Sequence, residues 1–267
     1  MKKLARIFLA VLLMAAAVLL PSAYNIKTVY YELSSDKIPQ AFDGFRIVQI
    51  SDLHSRDINE LIIRAVEKTG ADMIVFTGDM IDRAGDRDSV LELFGALGGI
   101  APMYYVTGNH EWANKGKSDY LEELKQSEVR LLRGESVELT RGGESMLLAG
   151  VDDPNGPENF AKTGKTLLPP DSDEFSILLA HRPDMFADYA EAGFDLVLSG
   201  HKHGGLIRLP IVGGLLDTGM TLLPEFDGGE FSRGGCEMIV SRGLSGAEGI
   251  PRVFNRPEIP VIILKCS

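Results

Sequence analysis

The chain has 267 residues, enough for one large domain with a substantial core. Hydrophobic residues make up 45% and charged residues 24%, the balance of a globular protein. A net charge of -11 with no basic stripe argues against a nucleic-acid partner.

Lys2, Lys3 and Arg6 precede an apolar run from Ile7 to Leu20, the layout of a secretory signal. Pro21 makes a poor cleavage site, and the run counted from Leu4 covers about 25 Å, just enough to cross a bilayer. Residues 1–24 are therefore expected to form an uncleaved signal anchor. The positive-inside rule then puts the main domain, residues 25–267, on the extracytoplasmic face of the cell membrane as a single-pass protein.

Thr28 to Leu33 reads as a first strand, and Phe45 to Ile50 as a second that runs into Ser51-Asp52-Leu53-His54. Helical spacing covers Asn59 to Lys68 and stops at Gly70. The continuous apolar run Asp72 to Thr77 suits a buried central strand and ends on Gly78-Asp79. A helix over about 89–97 follows, then a strand from Met103 to Val106 that delivers Gly108-Asn109-His110-Glu111. A third helix is expected over about 118–126.

The second half is richer in strands: 137–139, 146–151, 175–180, 194–199, 235–241 and 261–264, with one helix over about 184–192. Strand–helix alternation is an α/β signature, and in such sheets sites collect at the carboxyl ends of strands. One sheet from each half, flanked by helices, predicts a two-sheet sandwich. Cys236 and Cys266 fit no metal or redox spacing and are expected to be free, buried thiols. Asp152 to Asp173 reads as a long loop near the site, and Gly213 to Phe231 as an apolar loop able to line a lipid-accepting surface.

The histidines carry the chemistry. The chain has five, and every one lies in a short polar motif: Asp52-Leu53-His54, Asn109-His110-Glu111, His181-Arg182-Pro183 and His201-Lys202-His203. In extended backbone, residues two apart point to one face, so His201 and His203 can aim at one place. Asp52, His54, Asp79, Asn109, His181, His201 and His203 make a mixed oxygen and nitrogen ligand set without cysteine. Such a set disfavours structural zinc and suits Mn, Fe or Zn held for catalysis. Seven ligands suit two ions sharing a carboxylate, about 3.5–4 Å apart, as in two-metal phosphoryl transfer. Their charge would reverse the local field of an acidic chain.

Asp-x-His, Gly-Asp, Gly-Asn-His-Glu, a single His and Gly-His-x-His, in that order from about Phe45 to Leu264, resemble the calcineurin-like metallophosphoesterase superfamily. The N-terminal segment, Ser51 to Ser55 and Asn255-Arg256-Pro257-Glu258-Ile259 resemble its membrane-associated YkuE/YaeI-like branch, although Leu206 stands where that branch often has Gln. The resemblance implies a four-layer αββα fold. It implies one metal on Asp52, His54 and His203, another on Asn109, His181 and His201, and Asp79 bridging them. A hydroxide between the ions would attack phosphorus, and His110 would stabilise phosphate oxygens or protonate the leaving oxygen. Arg242 reads equally as a group reaching a substrate phosphate and as one half of a structural salt bridge, and Glu111 is a candidate for orienting a ligand.

The reading is a dinuclear phosphoesterase cleaving a phosphodiester or pyrophosphate bond, on a lipid-linked or envelope substrate at the membrane. A UDP-diacylglucosamine-type precursor is included, and that would require the cytoplasmic face. No obligate protein partner is evident. The rivals are a broad-specificity phosphomonoesterase and a non-catalytic binding module of the same fold.

Overall fold

The computed structural model describes residues 25–84, 87–168, 173–205, 207–209, 212–217, 220–246 and 252–267. The anchor expected over 1–24 and the departure at Leu206 lie outside them. Among the described residues no helix is long and apolar enough to cross a membrane. The longest has 11 residues, about 16 Å against a hydrocarbon core of about 30 Å. This corrects the single-pass extracytoplasmic placement expected from the sequence.

The first half forms β1 (Lys27–Ser35), β2 (Arg46–Ile50), α1 (Asn59–Val66), β3 (Met73–Phe76) and α2 (Asp88–Gly98). It continues with β4 (Met103–Tyr105), α3 (Asn109–Ala113), α4 (Lys117–Gln126) and β5 (Val129–Leu131). The second half forms β6 (Glu135–Arg141), β7 (Glu144–Gly150), α5 (Phe160–Thr163), β8 (Ser176–Leu179), α6 (Phe186–Glu191) and β9 (Leu196–Ser199). The chain then forms β10 (Ile207–Leu209), β11 (Gly213–Leu216), β12 (Gly229–Arg233), β13 (Cys236–Val240) and β14 (Glu258–Cys266).

Two mixed six-stranded sheets result, in the orders β1-β14-β2-β3-β4-β5 and β12-β13-β9-β8-β7-β6. The halves do not divide as cleanly as expected. β14 leaves the second half and inserts between β1 and β2, parallel to one and antiparallel to the other. β5 was not anticipated because three residues carry no period. Part of the stretch read as an apolar loop instead forms β11, which pairs with β10, and the start of the edge strand β12.

Alternation along the strands builds the layers. Ile47, Met73 and Val75 point between the sheets, where they meet Ile177, Leu179, Leu196 and Leu198. Their neighbours Val48, Ile74 and Phe76 point outward under α1, α2 and α4, against Ile62, Leu93 and Leu124. On the opposite outer face, Leu178 and Val197 pack against Phe160, Phe186 and Tyr189 of α5 and α6. Each such side chain contributes about 1.5–3 kcal/mol on burial, so the outer helices are held by their apolar stripes rather than by propensity. Gln49 is a buried polar side chain that crosses between the sheets: its Nε2 donates to Thr77 Oγ1 at 2.9 Å and to Ser199 O at 2.8 Å. Both cysteines are free; Cys236 is buried as expected, whereas Cys266 is only half-buried.

Candidate metal centre

Every predicted ligand sits just past the carboxyl end of a strand in one of two parallel runs. Asp52 and His54 follow β2, Asp79 follows β3, and Asn109 opens α3 after β4. His181 follows β8, and His201 and His203 follow β9. The sheets face each other, so the two sets of loops converge. Gln49 ties the sheets together one turn beneath that point.

All seven predicted side chains come together. Two groups, Asp52–His54–His203 and Asp79–His181–His201, each bring their ligand atoms within 4.8 Å of one another. A third group, His54–Asp79–His110, lies between them. His54 Nε2 is 3.3 Å from His203 Nε2, and His181 Nε2 is 3.2 Å from His201 Nδ1. Asn109 Oδ1 stands 3.3 Å from His181 Nε2. Asp79 Oδ2 is 3.3 Å from His181 Nε2 and 3.8 Å from His54 Nε2, so it faces both groups.

The far ring nitrogens decide which way the lone pairs point. His181 Nδ1–H donates to Thr77 O at 2.7 Å, and His203 Nδ1–H donates to Ser245 O at 3.0 Å. Each Nε2 is then free of its proton when the ring is neutral and aims into the cluster, the arrangement that orients metal-binding imidazoles. Nitrogen and carboxylate donors without sulfur fit divalent catalytic ions.

The backbone is specialised where these residues sit. Asp52, His54, Asp79, His201 and His203 all have φ between +51° and +72°, the left-handed region that non-glycine residues seldom adopt. Strain of this kind persists only where surrounding contacts over-determine it. Here, His201 N–H donates to both Asp52 oxygens at 3.1 Å, and His110 N–H donates to Asp79 Oδ1 at 2.7 Å. Gly200 is required by space: a Cβ there would collide with Ser51 Oγ and Asp52 Oδ2.

Burial lowers the basicity of the imidazoles, and it holds His203 down to about 4 and His201 well below the ordinary value. Burial also opposes charge on His181, but the adjacent Asp79 carboxylate outweighs it and lifts the pKa to about 10. His54 is raised in the same way, against burial, by Asp82 and then Asp79. Asp79 in turn lies below the carboxylate range, because His181 outweighs the cost of burying its charge.

Three residues gain definition from the structure. Asp82, unremarked in the sequence, accepts from His110 Nδ1 at 2.7 Å and is held below the carboxylate range by its bonds to His54 and His110. Its only sequence signal is a carboxylate three residues past Asp79. Glu111 is fully buried and takes the backbone N–H groups of Gly108, Asp79, Met80 and Ile81 at 2.6–3.2 Å, plus the Tyr105 hydroxyl at 2.8 Å. It clamps the loop carrying Asp79 to the one carrying Asn109. Arg242 Nε and Nη2 are both bound to Glu258, whose side chain is buried. That pairing is the structural salt bridge, the other of the two readings its sequence allows.

Residues 45–205 match the family profile described as calcineurin-like phosphoesterase. Over 256 residues the chain is 32% identical to the metallophosphoesterase YkuE of Bacillus subtilis, spanning 91% of this chain and 87% of the relative. It is 31% identical to a metallophosphoesterase of Aquifex aeolicus, over 97% of this chain and 98% of that one. It is 29% identical to a Danio rerio transmembrane protein with a metallophosphoesterase domain, over 92% of this chain and 59% of that protein. Among solved structures, the NAD nucleotidase of Haemophilus influenzae superposes with a TM-score of 0.51 at 15% identity, covering 78% of this chain and 48% of that one, a likeness of fold alone. Matched along most of its length, the chain belongs to the calcineurin-like metallophosphoesterase family and is a hydrolase of phosphoric ester bonds.

Proposed function

We propose that this protein hydrolyses a phosphodiester or pyrophosphate bond with two divalent ions, on a lipid-linked or envelope substrate. The observation that supports two ions is Asp79, whose one oxygen faces His181 and His54 in separate groups. Asp52, His54 and His203 would hold one ion, and Asn109, His181 and His201 the other, with Asp79 shared. Mn, Fe and Zn all suit the donors. Two such ions, when bound, neutralise phosphoryl charge and acidify water.

The chain's own part is positional. His110 stands over the cluster with Nδ1 fixed by Asp82, which leaves Nε2 to protonate the departing oxygen or to donate to a phosphoryl oxygen. Glu111 holds the loops carrying Asp79 and Asn109 together, and Gln49 ties the two sheets beneath them. The exposed apolar side chains of Met220, Leu222 and Leu223, on the stretch leading from the β10–β11 hairpin to β12, support an amphiphilic substrate.

The test strips the purified protein of metal, reloads it with manganese, zinc or iron, and compares an aryl phosphodiester with the matching monoester. Metal-dependent diester cleavage, lost in Asp79→Asn and reduced in His110→Ala, supports the reading. Faster monoester cleavage favours a phosphomonoesterase, and metal uptake without turnover on any phosphoester favours a binding module.

A further inference from the structure

Several cations surround the metal centre, and most are committed to protein acceptors. Lys202 Nζ lies 2.8 Å from Asp184, Arg242 is bound to Glu258, and Arg252 donates to the carbonyls of Arg242 and Ser245. Arg182 differs. Asp153, itself buried, takes its Nε–H at 2.7 Å, and Tyr189 Oη donates to its carbonyl at 3.0 Å. Those two contacts fix the backbone and one edge of the guanidinium. Its Nη1 points at the metal centre, 3.1 Å from His201 Nε2.

His201 turns Nδ1 toward His181 and Nε2 toward Arg182, so the guanidinium stands directly beside a predicted metal ligand. Beside it lies a cavity of about 160 Å³ lined by Asp153, Phe160, His181, Arg182, Met185 and Tyr189. A guanidinium at the junction of the ligand cluster and the cavity suits a second anionic group, joined through one bridging oxygen to the phosphoryl group that reacts.

We infer that Arg182 is a specificity-determining residue that binds the second phosphoryl group of a pyrophosphate, with that group's apolar or ring substituent entering the cavity. The inference rests on the dinuclear reading above and narrows its substrate from diester or pyrophosphate to pyrophosphate. In the reaction, water adds to one phosphorus and the P–O bond from that phosphorus to the bridging oxygen breaks. Water loses one proton to solvent, and the departing phosphate takes one from His110, which regains it from solvent.

The experiment is calorimetric binding of methyl phosphate and methyl diphosphate to the manganese-loaded full chain, with bound metal assayed afterwards. Wild type is expected to prefer the diphosphate by roughly tenfold or more, the scale of a charge-assisted bidentate contact. Arg182→Met is expected to abolish the preference while still binding methyl phosphate, and Arg182→Lys to keep part of it. Binding of methyl phosphate by Arg182→Met also shows that this variant folds. In steady-state assays Arg182→Met should lower kcat/KM for a methyl aryl diphosphate far more than for a methyl aryl phosphodiester. An undiminished diphosphate preference in Arg182→Met overturns the inference alone. Failure of wild type to take up metal or to bind either probe overturns the dinuclear reading and this inference with it.

Discussion

His110 Nδ1 lies 2.7 Å from Asp82 Oδ1, on a carboxylate that also neighbours His54 Nδ1 at 3.9 Å. One acid on the loop after β3 thus sets the His110 ring and neighbours the His54 ring as well.

If Asp82 acts through His110, its removal must cost rate without costing metal. Asp82→Ala is expected to lower kcat by roughly 10- to 100-fold, within the range for general acid–base groups. Asp82→Asn, which keeps an acceptor but not the charge, should lose less. The double variant with His110→Ala should be no slower than His110→Ala alone, since interacting residues are not additive. Kinetics with metal content measured on the same samples checks all three.

Glu111 receives five donors and offers none. Glu111→Gln is nearly isosteric, yet its amide N–H₂ would face N–H and O–H groups. Thermal melts should show a loss of about 1–3 kcal/mol, the cost of unmatched buried polar groups. Metal affinity, read by calorimetry, should fall by roughly tenfold as Asp79 and Asn109 separate.

Gly200→Ala places a methyl group against Ser51 and Asp52. Lowered stability by about 1–3 kcal/mol is expected from overpacking, with weakened binding at the Asp52 group. Gly99→Ala is the control: its Cβ meets nothing within 4 Å and its φ is -74°, so stability should hold.

Metal binding should be strongly pH-dependent, with a sign fixed by His181. In the metal-free protein its pKa is about 10, so at neutral pH the ring is protonated and must lose that proton to bind an ion. Affinity therefore rises with pH up to about 10, and loading at pH 7 releases protons. The same raised pKa makes protonated His181 a stabilising group in the metal-free fold. That contribution is complete below the unfolded value of 6.5 and is lost as pH climbs through 10. Calorimetry in buffers of different ionisation enthalpy counts the released protons. Binding unchanged between pH 6 and 9 would contradict the assignment.

The seven predicted ligands were legible because each one closes a strand, and strand ends in a parallel sheet share an edge. Periodicity places His54, Asp79 and His201 on that edge without knowledge of the rest. Asp82 and Arg182 were not legible in the same way: their roles come from partners 28 and 29 residues away, His110 and Asp153. Arg242 read as a candidate for the cleft because its partner Glu258, on β14, is a matter of tertiary pairing. The membrane expectation came from residues 1–24 and hydropathy alone, and the described helices do not extend it.

Among the described residues β1 pairs with β14 alone, and β14 itself fills the gap between β1 and β2. A chain emerging from the ribosome therefore exposes an early strand whose neighbour is still more than 220 residues away in sequence. Such a long-range closure is slow and leaves a hydrophobic edge open to other chains in the meantime. Losing β14 would split the first sheet through its interior rather than trim its border. During synthesis, then, β14 acts as the keystone, and the young polypeptide keeps this seam open until that strand has emerged.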